Sequence, residues 1–158
     1  MNNIKTMSNE ADLAIKKANS FIAYRPRSIS EVENKLLLSF NKNVVKNVIC
    51  NLIEQGILND LRFAKLWVTS RCLSNQKSTQ YIKYELKQKG ISDENIEVAL
   101  SEVDNDENAY NAGAKKIKAL TNLPKEISEK KLESFLRRKG FNLSTTKSTI
   151  KKLLEENE

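Results

Sequence analysis

Three pairs of apolar residues, Val32/Leu36, Ile82/Leu86 and Leu132/Leu136, recur at 50-residue intervals along this chain. Within each pair the spacing is i, i+4, one face of an α-helix. Two of the pairs run into the same stop, Lys89-Gly90-Ile91 and Lys139-Gly140-Phe141. Glycine is the natural left-handed residue just past a helix end. A period of this length predicts repeats of one supersecondary unit that share cores with their neighbours. The first copy has Ser39-Phe40-Asn41 at the stop, so its helix junction is expected to differ.

Around these pairs the apolar spacing predicts nine helices, three per repeat. The first carries Ala11, Ala14, Ile15, Ala18 and Ile22 and ends at Arg25-Pro26-Arg27, because the residue before a proline avoids helical angles. Ser28 and Glu31 have capping-box spacing at the start of the second, which buries Ile29, Val32, Leu36 and Phe40. The third carries Val44, Val45, Val48, Ile49, Leu52 and Ile53 and stops at Gly56. Asn59 or Asp60 can cap the fourth, which bears Phe63, Ala64, Trp67 and Val68; Trp67 is expected in the core. The fifth follows Ser74-Asn75-Gln76, and Ser92-Asp93-Glu94 opens the sixth, with Ile96, Ala99, Leu100 and Val103. Ala109, Ala112, Gly113, Ile117 and Leu120 mark the seventh; Leu143, Ile150, Leu153 and Leu154 mark the ninth.

The expected fold is therefore all-α, with three tandem three-helix repeats forming an elongated, curved body. The expected boundaries are a polar N-terminal segment over 1–10 and repeats over 11–58, 59–104 and 105–158. Only 4 glycines and 2 prolines interrupt the 158 residues, which suits helix nearly throughout.

Composition removes several functions. There is no histidine, hence no imidazole base, no His ligand and no Ser-His-Asp triad. Cys50 and Cys72 are too few for a Cys₄ zinc site or a disulfide framework, and both are expected as inert core thiols. The isolated glycines form no phosphate-cradling loop. No apolar run is long enough to span a bilayer, and the start of the chain lacks a signal peptide's apolar stretch. A cytoplasmic protein without catalytic residues, metal or cofactor is expected.

The net charge of +7 favours an acidic partner, nucleic acid first. Charge gathers at the ends: residues 105–158 hold 12 bases against 8 acids, whereas 59–104 hold 7 of each. The candidate contacts are Arg25 and Arg27 beside Pro26, then Lys83 and Lys87 beside Tyr81 and Tyr84. In the last third they are Arg137, Arg138, Lys139, Lys151 and Lys152, with Lys130, Lys131 and Lys147 adding to the basic count. Each has a bland reading beside it, as a cap, a packed stem, a favourable charge at a helix C-terminus or a solvated face. Asp60 can cap its helix, Arg62 can pair with it or with the first repeat, and Arg71 can lay its charge near Trp67, four residues earlier.

Four stretches resemble the RecX family, the bacterial regulators of the RecA recombinase. They are Tyr24-Arg25-Pro26-Arg27-Ser28 with Glu31 and Leu36; Leu58-Asn59-Asp60-Leu61-Arg62-Phe63-Ala64 with Trp67 and Arg71; Ile82, Glu85-Leu86, Lys89-Gly90-Ile91 and Ile96; and Leu136-Arg137-Arg138-Lys139-Gly140-Phe141. The likeness runs in order from about Asp12 to Leu154, and Ser39-Phe40 departs from it. It makes Asp60, Arg62, Phe63, Trp67, Gly90 and Gly140 signature positions. It implies a monomer that binds the RecA–single-stranded DNA filament in its groove. There it would restrain filament growth, ATP hydrolysis, strand exchange and co-protease activity, with no catalytic residues and no membrane partner. Single- or double-stranded DNA is an accessory partner on this reading.

The competing reading is a sequence-nonspecific helical DNA-binding module that acts without RecA. A helix-turn-helix repressor also fits three-helix units, although no recognition helix stands out. An enzyme is disfavoured by the residues present.

Overall fold

The computed structural model describes residues 2–156; Met1, at the head of the expected N-terminal segment, and Asn157 and Glu158, at the end of the expected third repeat, lie outside it. Among the described residues there are nine α-helices and no strand. They are α1 (Asn2–Tyr24), α2 (Ile29–Leu37), α3 (Lys42–Glu54), α4 (Asp60–Ser70), α5 (Thr79–Gln88), α6 (Asp93–Leu100), α7 (Asn105–Ile117), α8 (Lys125–Arg138) and α9 (Leu143–Glu155). A single π-helical turn, Arg71–Asn75, continues α4 and ends at Gln76, whose φ is +37°. By packing, the chain divides into residues 1–64 with 87–96, and residues 65–86 with 97–158.

In the first unit α1, α2 and α3 pack on one another around Ala14, Ala18, Val32, Leu36, Val45, Val48 and Leu52. The α2 start is the expected capping box. The Glu31 amide donates to Ser28 Oγ at 3.2 Å, and the Ser28 amide donates back to the Glu31 carboxylate at 3.1 Å. The α3 stripe is narrower than the sequence reading. Val44, Val45, Val48, Ile49 and Leu52 are buried, but Ile53 is 42% exposed and Cys50 is exposed. At about 100° per residue the buried residues span an arc of roughly 140°, and Ile53 and Cys50 fall beyond its edge. Cys50 is therefore a surface thiol, not a core one.

Asn59, not Asp60, caps α4: its side chain accepts the Arg62 amide at 2.8 Å. Asp60 instead accepts the Ile29 amide at 2.9 Å and so caps α2. Arg62 does not pair with it; the guanidinium donates to the Gly56 and Ile57 carbonyls at 3.1 and 3.0 Å. These are carbonyls of the turn that follows α3.

The same unit contains the α5 turn that meets α2. Ser28 Oγ donates to the Lys89 carbonyl at 2.7 Å. Gly90 has φ +76°, and a Cβ there would lie 2.6 Å from Ser30 Cβ. Glycine is required twice over, for the left-handed backbone and for the close approach.

In the second unit α7, α8 and α9 surround Ala109, Ala112, Ile117, Leu120, Leu132, Leu136, Phe141 and Leu153. The joint recurs 50 residues on. The Ser78 amide donates to the Lys139 carbonyl at 3.1 Å, and Gly140, at φ +92°, stands against Ser78 and Tyr81. The first residue of α7 repeats the service of Asp60, with Asn105 Oδ1 accepting the Thr79 amide at 3.0 Å. Ser128 completes the series of serines at 28, 78 and 128, a signal absent from the sequence reading. Here α8 begins a turn earlier, after Pro124, so Ser128 lies inside the helix and donates to the Leu120 carbonyl at 3.1 Å.

Two further expectations change in this unit. Leu143, the first residue of α9, is 46% exposed, and the buried stripe begins at Thr146. Trp67 is half-buried, whereas Phe63, Ala64 and Val68 are buried. An indole N–H needs an acceptor, and Trp67 Nε1 finds one at 2.9 Å in Glu85.

Candidate binding surfaces

Helix geometry decides first which cations are committed to the fold. Arg25 pairs with Glu31 at 2.8 Å and also donates to the Pro26 carbonyl at 2.9 Å. Lys89 approaches the same carboxylate at 3.3 Å. Burial by itself pushes Glu31 up, but the Arg25 hydrogen bond, the Ser28 amide and the nearby Lys89 charge outweigh it. They bring Glu31 down to about 2. Arg27 donates to the Phe21 carbonyl at 3.3 Å and stacks its guanidinium 3.7 Å from the centre of the Phe21 ring. Arg25 and Arg27 thus secure the α1–α2 corner.

The middle candidates are engaged on the surface. Lys83 pairs with Glu97, and Lys87 pairs with Asp93 at 2.9 Å. Glu97 and Asp93 are well exposed, and exposed pairs are worth little, so these lysines remain open to a competing anion. Tyr84 is exposed beside them; Tyr81 instead packs against Gly140, with the Lys77 ammonium 3.9 Å from its ring. Glu85 accepts Arg71 Nε at 2.6 Å, and the Arg71 guanidinium lies 4.2 Å from the Trp67 ring. That expected aromatic contact is present. Cys72 is half-buried and accepts from the Asn108 amide group at 3.3 Å.

In the last third, sequence neighbours part company. Arg137 turns back to the Phe141 carbonyl at 3.2 Å and helps close α8. Lys139 is half-buried, 5.1 Å from the Phe135 ring. Burial first, then the Lys77 and Lys115 charges, lower its pKa. Lys151 faces Glu155 at 3.8 Å, and Lys152 lies 4.6 Å from the Tyr110 ring. Arg138 opens into a groove of about 440 Å³ between α7 and α8, with Lys116, Ile127, Lys130, Lys131 and Ser134.

That groove was not legible as a run of charge. Its α8 members, 127, 130, 131, 134 and 138, follow i, i+3, i+4, i+7 and i+11, a single helical stripe. Two of the three acids of the same helix, Glu129 and Glu133, line the α8–α9 side with Lys125, Lys147 and Lys151. Elsewhere in this unit, a larger cleft of about 660 Å³ combines apolar Val68, Leu73 and Val98 with Glu102, Asp104 and Glu107. No three His, Cys, Asp or Glu side chains among the described residues converge on a metal-sized site. No described helix is long and apolar enough to cross a membrane.

Residues 59–100 match the family model described as RecX, second three-helix domain. A regulatory protein RecX from Prosthecochloris aestuarii is 32% identical over 142 residues, which span 89% of this chain and 93% of that protein. One from Chlorobium limicola is 30% identical, spanning 85% of each. One from Bacillus subtilis is 30% identical over 95% of this chain but only 58% of its own length. Among solved structures, RecX from Lactobacillus salivarius superposes with a TM-score of 0.78 at 24% identity, covering 92% of this chain and 97% of that one. The fold of tandem three-helix repeats is thus shared.

Proposed function

The chain belongs to the RecX family, and from that premise we propose that it is a non-catalytic regulator of the RecA recombinase. It binds the RecA–single-stranded DNA filament and restrains its growth, ATP hydrolysis, strand exchange and co-protease activity. It acts in the cytoplasm as a monomer, with the repeats 11–58, 59–104 and 105–158 as its structural modules. The observation that carries this reading is the match to regulatory relatives along nearly the whole chain. In this chain Ser28 of the Arg-Pro-Arg-Ser corner and both Lys-Gly turns join one repeat to the next.

The test is DNA-dependent ATP hydrolysis by the cognate RecA. Inhibition at amounts well below RecA is expected, because a filament regulator acts at few sites. If inhibition appears only when the protein is abundant enough to cover the DNA, the second reading, a DNA-binding module acting without RecA, replaces it. The basic α7–α8 groove is the observation that keeps that second reading in play.

A further inference from the structure

We propose that the groove between α7 and α8 is a phosphodiester-binding site that holds the backbone of a single DNA strand, with Lys116, Lys130, Lys131 and Arg138 as its cations. This deepens the filament reading and rests on it for the identity of the strand.

The groove is distinguished by what faces it. It is lined by four cations, one hydroxyl and one apolar side chain, with no carboxylate. Among the described residues none of the four cations forms an ion pair. Of the other candidate cations, Arg25, Lys83, Lys87 and Lys151 are paired with carboxylates, while Arg27, Arg137, Lys139 and Lys152 lie against backbone carbonyls or aromatic rings. Of the three acids of α8, Glu129 and Glu133 line the opposite groove and Glu126, in the first turn, lines neither, so the α7–α8 side keeps cations only. A solvated helix face with both signs interleaved would neutralise itself through i, i+4 pairs. Segregation instead leaves a concave, single-sign surface, which concentrates anions.

Two details favour a single strand. The α8 cations run from Lys130 to Arg138 with Ser134 between them, so they lie along a line about 12 Å long at 1.5 Å per residue. That is the form of an extended polyanion and not of one bound ion. Ile127, 44% exposed, lies at one end of the same groove. A single strand offers unstacked base faces that such a side chain can cover, whereas a duplex keeps them stacked. Ser134 adds a hydroxyl donor for a phosphate oxygen.

The probe is a fluorescein-labelled oligothymidylate, titrated by anisotropy at several salt concentrations without RecA. Each phosphate neutralised on a single strand contributes about −0.7 to the log–log salt slope, so a filled groove should give about −3 from these four cations. Lys130→Gln/Lys131→Gln/Arg138→Gln should make the slope shallower by roughly 2 and weaken low-salt binding about tenfold or more. Helicity by circular dichroism should be retained, and Lys130→Arg/Lys131→Arg should bind as wild type. Should the triple variant not fold, Lys130→Gln alone should still shift the slope by about 0.7. Unchanged oligothymidylate binding and slope in a folded variant would overturn the proposal. So would a variant that binds DNA as wild type yet no longer inhibits RecA ATPase, because the groove would then face an acidic protein surface. Groove-dependent DNA binding in a wild type that does not inhibit RecA would uphold the site and sink the filament reading instead.

Discussion

Ser28 and Ser78 hold equivalent positions in successive repeats, yet they grip the next repeat with different atoms. Ser28 uses its hydroxyl on the Lys89 carbonyl, and Ser78 uses its backbone amide on the Lys139 carbonyl. The chain enters each joint differently. Pro26, two residues before Ser28, is confined to φ near −65°, whereas its counterpart Gln76 sits at φ +37° after the π-helical turn. Around the serines the chemistry is exchanged as well. Glu31, held by Arg25 and Lys89, is replaced by Tyr81 under Lys77. The carboxylate of Asp60 is replaced by the amide of Asn105. What persists is a left-handed glycine in close contact, a buried serine and one side-chain acceptor for the first amide of the helix. The joint is a backbone geometry that tolerates either ionic or neutral support.

The contact distances make the glycines the harshest test of that view. Gly90→Ala and Gly140→Ala should each lower stability by about 2–5 kcal/mol. Left-handed alanine costs roughly 1–2, and forcing a methyl against Ser30 or Ser78 adds roughly 1–3. Gly56 is the control: it is also left-handed, at φ +68°, but a Cβ there meets nothing within 4 Å, so Gly56→Ala should cost only about 1–2 kcal/mol. Urea unfolding that ranks the three equally would show that close approach contributes nothing to the joints.

Truncating the serines separates the two grips. Ser28→Ala removes both the cap and the hydroxyl bond to Lys89, at a cost of about 2 kcal/mol. Ser78→Ala removes only the cap to the Tyr81 amide and should cost about 1 kcal/mol, because its own amide still reaches Lys139. Equal melting-temperature losses would mean that the hydroxyl-to-carbonyl bond adds no stability.

The ionic joint should also respond to acid where the neutral one does not. Glu31 is lowered to about 2 in the fold, below its value in the unfolded chain. Its contribution is therefore complete above the unfolded value of about 4.3 and is lost as pH falls through about 2. Glu31→Gln should flatten that part of the stability profile between pH 5 and 2, while Tyr81→Phe should leave it as in wild type. A wild-type profile as flat as the Glu31→Gln profile would contradict the pairing with Arg25 and Lys89.

The mildest change converts one joint's cap into the other's. Burial, then the nearby Glu31 charge, push Asp60 up, against the opposing Ile29 amide, so its ionised form is disfavoured in the fold. Asp60→Asn keeps an oxygen for that amide and removes the buried charge. Thermal melts should show it within about 0.5 kcal/mol of wild type or slightly more stable, whereas Asp60→Ala should lose about 1 kcal/mol with the cap.

Periodicity alone determined the helices, the 50-residue repeat and most of the buried stripe, because burial on a helix follows a spacing that any register preserves. It also determined Ser28 with Glu31 as a capping box and Gly90 and Gly140 as helix stops, since these signals lie within a few residues of one another. Partners drawn from distant segments were decided by the tertiary structure. Asp60 caps α2 and not its own helix, Arg62 holds the turn after α3, and Trp67 sits half-buried with its N–H on Glu85. The site followed the same division. Adjacent basic residues look like one patch in the sequence, but successive positions on a helix diverge by about 100°. Folding therefore sends Arg137 to a carbonyl and Lys139 against an aromatic ring, and it places Arg138 beside Lys130, Lys131 and, from another helix, Lys116. Local spacing sets which face a side chain occupies; only the packing of helices decides what that face meets.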